Sequence, residues 1–138
     1  MKTAYLYIFS LVVFFCSCAQ KDILNSKQGT SLPPVTNLAL EKADSNRVIL
    51  TWQIPGAIPG NINQPLGVYI EVNQEVNRRL LSQFSITLPG APTSYTYKLP
   101  DSSKVYHLTV KLSGTTTSSD INYSNSILSL GQTVIYTR

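Results

Sequence analysis

His107 is the chain's one histidine, and it faces seven Asp and Glu residues in a sequence of 138. Acid–base, nucleophilic or metal chemistry needs such groups to converge on one point. His107 sits in Tyr106-His-Leu-Thr-Val-Lys-Leu112, where apolar residues recur at every second position, so it belongs on the solvent side of a strand. Glu71, Glu75, Asp101 and Asp120 fall in separate segments, and no spacing presents two carboxylates together. Asp44 and Asn46 could begin a calcium loop, but the oxygen ligands that would complete it do not follow. Cys16 and Cys18 close an apolar run with no His or further Cys nearby, which is poor ground for a metal or redox pair. The reading is a protein without catalytic residues, metal or cofactor.

Binding is better supplied, on three surfaces. Tyr69, Glu71, His107 and Thr109 are expected on one outer sheet face, where an exposed tyrosine can stack on a sugar ring or anchor a protein. Tyr123, in a later loop, is a second candidate of this kind, and the plainer alternative is that Tyr69 only covers its strand. A second surface is the loop end formed by 54–66, 89–93 and 113–124. A third is Gln132 to Arg138, β-prone and lightly charged, which can add to a partner's sheet or lengthen the domain's own edge strand. The net charge of +4 comes from eleven basic residues spread along the chain, with Arg78-Arg79 the only dense spot, and it gives no case for a nucleic-acid partner.

The elements that must carry these residues are strands. Charged residues make up only 13% of the chain, too few for long solvated helices. Val35 to Leu40, entered through Pro33-Pro34, can form a first strand, and Arg47 to Gln53, Gly67 to Asn73, Gln83 to Leu88, the segment through Tyr95, Tyr97 and Leu99, and Tyr106 to Leu112 each place apolar residues at every second position. The last segment continues the alternation through Leu128, Leu130, Val134 and Tyr136, with Gly131 marking a bulge or bend. Prolines and glycines crowd the long loop from Ile54 to Leu66. Seven short strands with regular turns predict an all-β, antiparallel, two-sheet sandwich of immunoglobulin-like type.

The order Pro34-x-x-Asn37-Leu38, Val48-x-Leu50-x-Trp52-x-x-Pro55, Gly67-Val68-x-Ile70-x-Val72, then Leu99-Pro100 to Tyr106-x-Leu108-x-Val110 resembles the fibronectin type III domain over roughly 33–130. The resemblance implies that Trp52 packs between the sheets. It also implies that Leu99 opens the turn and that Tyr106 makes the tyrosine corner, its hydroxyl bonding back to nearby backbone. The family's integrin-binding members carry Arg-Gly-Asp in a loop of the second surface, and this chain has no such tripeptide.

Met1 to Cys18 reads as a secretory signal: Lys2, the apolar run Tyr5 to Phe15, and Ser17 before Cys18. The run is shorter than the roughly 20 residues a membrane helix needs. It resembles a bacterial lipoprotein signal, which implies lipidation at Cys18 and a membrane partner through that anchor. Ala19-Gln20-Lys21-Asp22 is similar to the export tags of Bacteroidetes surface lipoproteins. The organisation expected is a signal over 1–17, lipidated cysteine and flexible tether over 18–32, and one domain over 33–138. Because the first strand runs antiparallel to the second, the tether should enter at the loop end, and the last strand should run away from the membrane. The functional expectation is an exported, lipid-anchored surface module that binds a protein or glycan or acts as a spacer. Its alternatives are a carbohydrate-binding accessory of a glycan-uptake system and an adhesin or assembly subunit that uses its distal strand.

Overall fold

Alternation in three strands decides which side chains are buried. Val48, Leu50 and Trp52, then Val68, Ile70 and Val72, then Tyr106, Leu108, Val110 and Leu112 all point into one core, and the residues between them face outward. The structure, a computed structural model, describes residues 31–117 and 124–138. The described residues form eight strands: β1 (Thr36–Lys42), β2 (Arg47–Gln53), β3 (Gly67–Val76), β4 (Arg79–Leu88), β5 (Ser94–Lys98), β6 (Tyr106–Thr115), β7 (Ser126–Leu128) and β8 (Gln132–Tyr136). One sheet has the order β1-β2-β5, the other β4-β3-β6-β7 with β8 also on β6, and every pairing is antiparallel. This is the expected sandwich, with the seventh strand position divided between β7 and β8.

The division is a β-bulge. Leu128 pairs with Ser113, and Ser129 meets Leu112 through its N–H on the Leu112 carbonyl (2.9 Å) and its hydroxyl under the Leu112 N–H (2.8 Å). Gln132 pairs with Val110, so Leu130 and Gly131 together face Lys111 alone. A side chain at residue 131 would stand 2.5 Å from Thr109 Cγ2, which is why glycine occupies the crossing. The inserted residue reverses the facing of everything after it. Val134 and Tyr136 turn inward as expected, whereas Leu128 (53% exposed) and Leu130 (80%) lie outside, against the single alternation read from the sequence.

Two further boundaries move. Leu32, placed by sequence at the end of the tether, is buried and joins the core, where Leu32 Cδ2, Ile62 Cγ2 and Leu66 Cδ2 gather over the bare backbone of Gly114. The fourth strand begins at Arg79 and the third runs on to Val76, because Asn77 and Arg78 both take positive φ (51° and 62°) and close a two-residue hairpin whose twist matches its strands. An Asn-Arg pair is a weaker turn signal than Asn-Gly, and a bulge between Val72 and Asn73 breaks the alternation before it.

Trp52 lies in the core, 3% exposed, as the family resemblance implied; its indole N–H has no hydrogen-bond partner among the described residues. Leu99 is buried, and the Tyr106 hydroxyl accepts the Asp101 N–H (3.2 Å), which is the expected corner. A second tyrosine completes it: Tyr136 pairs with Tyr106 across β6–β8 and donates its hydroxyl to the Ser102 carbonyl (3.1 Å). Trp52→Ala should lower unfolding free energy by about 3–5 kcal/mol through the cavity it leaves. Tyr106→Phe should cost about 1 kcal/mol, because only the bond to Asp101 is lost. Denaturant melts of both variants against the unsubstituted chain measure the two effects.

Candidate functional site

The register of β3 against β6 builds the outer face of the five-stranded sheet. Tyr69 is opposite Lys111, Glu71 opposite Thr109, and Asn73 opposite His107. Tyr69, Glu71 and His107 are therefore brought onto one face, as expected, but each is engaged. The Lys111 ammonium stands 5.8 Å over the Tyr69 ring and 3.6 Å from Glu71 Oε2. Asn73 Nδ2 donates to Glu71 Oε1 (3.1 Å), and His107 Nε2 lies 3.0 Å from Glu75 Oε2. The Thr109 and Thr133 hydroxyls are 2.7 Å apart, joining β6 to β8. Glu71 and Lys111 are each partly shielded, with side chains about 30% exposed, so the face is a pre-ordered polar ladder with one half-buried aromatic ring at its side.

Toward the loop end this face opens into a groove. Gly67, Thr87 and Ser113 form its floor, since Gly67 pairs with Ser113 and leaves bare backbone between two small side chains. Asn63, Gln64 and Pro65 wall one side, Pro89 and Gly90 another, and Thr115 and Ser126 the third. The wall is held by the loop after β2: the Asn63 N–H donates to the Thr115 carbonyl (2.8 Å), the Asn63 amide to the Thr115 hydroxyl (3.0 Å), and the Thr117 N–H to the Asn61 carbonyl (2.9 Å). Tyr69 is the next residue after Gly67 on that face, opposite Thr87, so hydroxyls, amides and an aromatic ring stand in one row. The sequence named Tyr69 and the loops separately. Their meeting at Gly67 depends on the β3–β6 register, which no local pattern encodes.

A shallow cleft at the opposite end is lined by Ser45, Asn46 and Lys98 to Ser102. Its acids are committed to turns. The Asn46 N–H and the Arg47 side chain hold the Asp44 carboxyl below its ordinary range, and the Ser103 hydroxyl and N–H do the same for Asp101. Asp44 thus caps its turn. Among the described residues no three His, Cys, Asp or Glu side chains gather in a way that could hold a metal ion. Cys18, Asp120 and Tyr123 lie outside the described residues.

Solved structures similar in fold to this chain include fibronectin type III domains. The third such domain of human KIAA0343 protein is 16% identical with a TM-score of 0.51, the match covering 80% of this chain and 86% of that one. A fibronectin type III domain of human collagen XX is 18% identical with a TM-score of 0.49, covering 78% and 94%. A structure titled as a myokine is 15% identical, also with a TM-score of 0.49, covering 78% and 97%. At these identities the likeness is one of fold alone. No curated protein matches. A family model does, over residues 18–136, and the chain belongs to the family described as domain of unknown function DUF4945.

Proposed function

We propose that this chain is a non-catalytic binding or spacer module held at the bacterial cell surface by a lipid on Cys18. The observation that carries the reading is the leader itself: a short apolar run ending in Ser17-Cys18, ahead of a chain whose family match begins at Cys18. The fold adds support from the other side, since a fibronectin type III-like sandwich commonly serves to bind or to space. With Leu32 packed in the core, the segment between Cys18 and the domain is 19–31. It enters where β1 begins, beside the end of β2, so the loop-end groove faces back toward the anchor. In this reading ligands reach the domain mainly across its sheet faces.

A second reading, a carbohydrate-binding accessory of a glycan-uptake system, is favoured by the row of hydroxyls and amides beside Tyr69. Sugars present alternating hydroxyls and flat C–H faces, and a groove of that composition with an aromatic ring suits both. The third, a subunit that uses its distal strand, is less favoured, since β8 is paired along one edge with β6 and its Tyr136 is tied to Ser102.

Radiolabelled palmitate should enter the full chain in cells, and Cys18→Ser should abolish both the label and sedimentation with membranes; label persisting in the variant would refute the anchor. For the second reading, the full chain on a glycan array should give signal that Tyr69→Ala reduces roughly tenfold. A blank array, or signal indifferent to that substitution, removes it.

A further inference from the structure

The edges of the two sheets are unequally defended. β1 begins beside Pro33-Pro34 and carries an irregularity between Thr36 and Ala39, with Asn37 at φ 53°. β5 has five residues, β7 has three, and β8 lies alongside β1. Such devices stop edges from pairing with foreign strands. β4 has none of comparable reach. It is ten residues long, RLLSQFSITL, with Arg79 as its only charge, and no described strand occupies its second edge. The bulge opposite Val72 and Asn73 falls at Gln83, which leaves Phe84 to Leu88 as a regular, uncharged run ending at Pro89.

We propose that this run is a homotypic interface, in which β4 pairs antiparallel with β4 of a second copy about a twofold axis at Ile86. The occupant follows from the run's self-complementarity. Its midpoint is Ile86, so Ile86 faces Ile86, Ser85 faces Thr87 and Phe84 faces Leu88. Phe84, Ile86 and Leu88 are partly buried residues packed on the core, and the pairing brings each row against its own copy on the same face. The small hydroxyl residues meet on the opposite face. Arg79 of each copy stands seven residues from the axis on opposite sides, on the order of 45 Å from the other Arg79 and well beyond screening length. An acidic peptide would gain only the Arg78-Arg79 pair at one end as charge partners, whereas a second copy matches the whole run. The result is one continuous sheet across two sandwiches.

The test is cross-linking of the full chain, detergent-solubilised, in two differently tagged forms, Ser85→Cys and Thr87→Cys. Opposed cysteines in an antiparallel pair come within disulfide reach. Mild oxidation of the mixture should give a mixed-tag dimer at several times the yield of either variant alone. It should also exceed Ser94→Cys on β5, and the unsubstituted chain, which reports whatever Cys16 and Cys18 contribute. Circular dichroism verifies that the exposed substitutions leave the fold intact. By sedimentation velocity, Thr87→Lys should weaken self-association at least tenfold. A mixed-tag yield no greater than the controls, or β4 cysteines that capture another protein and not each other, would overturn the proposal.

Discussion

Eight successive pairs join β3 to β6, from Gly67 opposite Ser113 to Gln74 opposite Tyr106, and almost every other relation in the molecule is set by that ladder. One face of it supplies Val68, Ile70, Val72, Leu108, Val110 and Leu112, all fully buried. The other face, by the same register, brings Lys111 over Tyr69 and His107 toward Glu75. A slip of β6 by one residue against β3 would turn its inward row outward, exposing Leu108, Val110 and Leu112 and burying His107 and Lys111. The core and the candidate binding face are therefore a single specification, and neither can drift without the other.

At the end away from the 54–66 loop the ladder is pinned by two tyrosines acting on one turn. Tyr106 takes the N–H of Asp101 while Tyr136 gives its hydroxyl to the carbonyl of Ser102, and their rings lie 6.3 Å apart. Reaching this position requires Tyr136 to point inward. It does so because the bulge at Leu130 and Gly131 reverses the facing of β8 relative to β7. The cost is an apolar surface on the outside of the sheet at Leu128 and Leu130, which a continuous strand of the same sequence in the β8 register would have turned inward. Inward registry of Val134 and Tyr136 outweighs it, since both pack on buried neighbours and one also satisfies a backbone carbonyl.

Most of the fold was legible because period two is a strong signal wherever a strand is buried on one side. In Arg47 to Gln53 and Tyr106 to Leu112 the alternation picks out the residues that point inward, and Leu99, Trp52 and Tyr106 hold the positions the family resemblance implies. What escaped was non-local. The bulge at 130–131 is visible only as a glycine, and its effect on facing needs the partner strand. Leu32 looked like linker because its neighbours are polar, while its burial is decided by Gly114, more than eighty positions away. Of the candidate site, the sequence held the residue types and the shared face of Tyr69, Glu71 and His107, but not their partners. Lys111 and Glu75 enter only through the antiparallel register.

The described residues hold no cysteine, so the loop end of the sandwich is closed without a disulfide of its own. The loop from Ile54 to Leu66 is long enough that its ordering costs substantial backbone entropy. Ile62 and Leu66 drive two apolar anchors into the space above Gly114, and the bonds from 61–63 to Thr115 and Thr117 add a short rung to the end of β6. Hydrophobic burial of Ile62 and Leu66 is worth a few kcal/mol, more than the backbone bonds contribute net, so the anchors hold the loop and the bonds set its register. A loop fixed in this way serves as a wall. The groove beside it is consequently pre-formed, with its floor on the sheet and its sides on chain that the core itself retains.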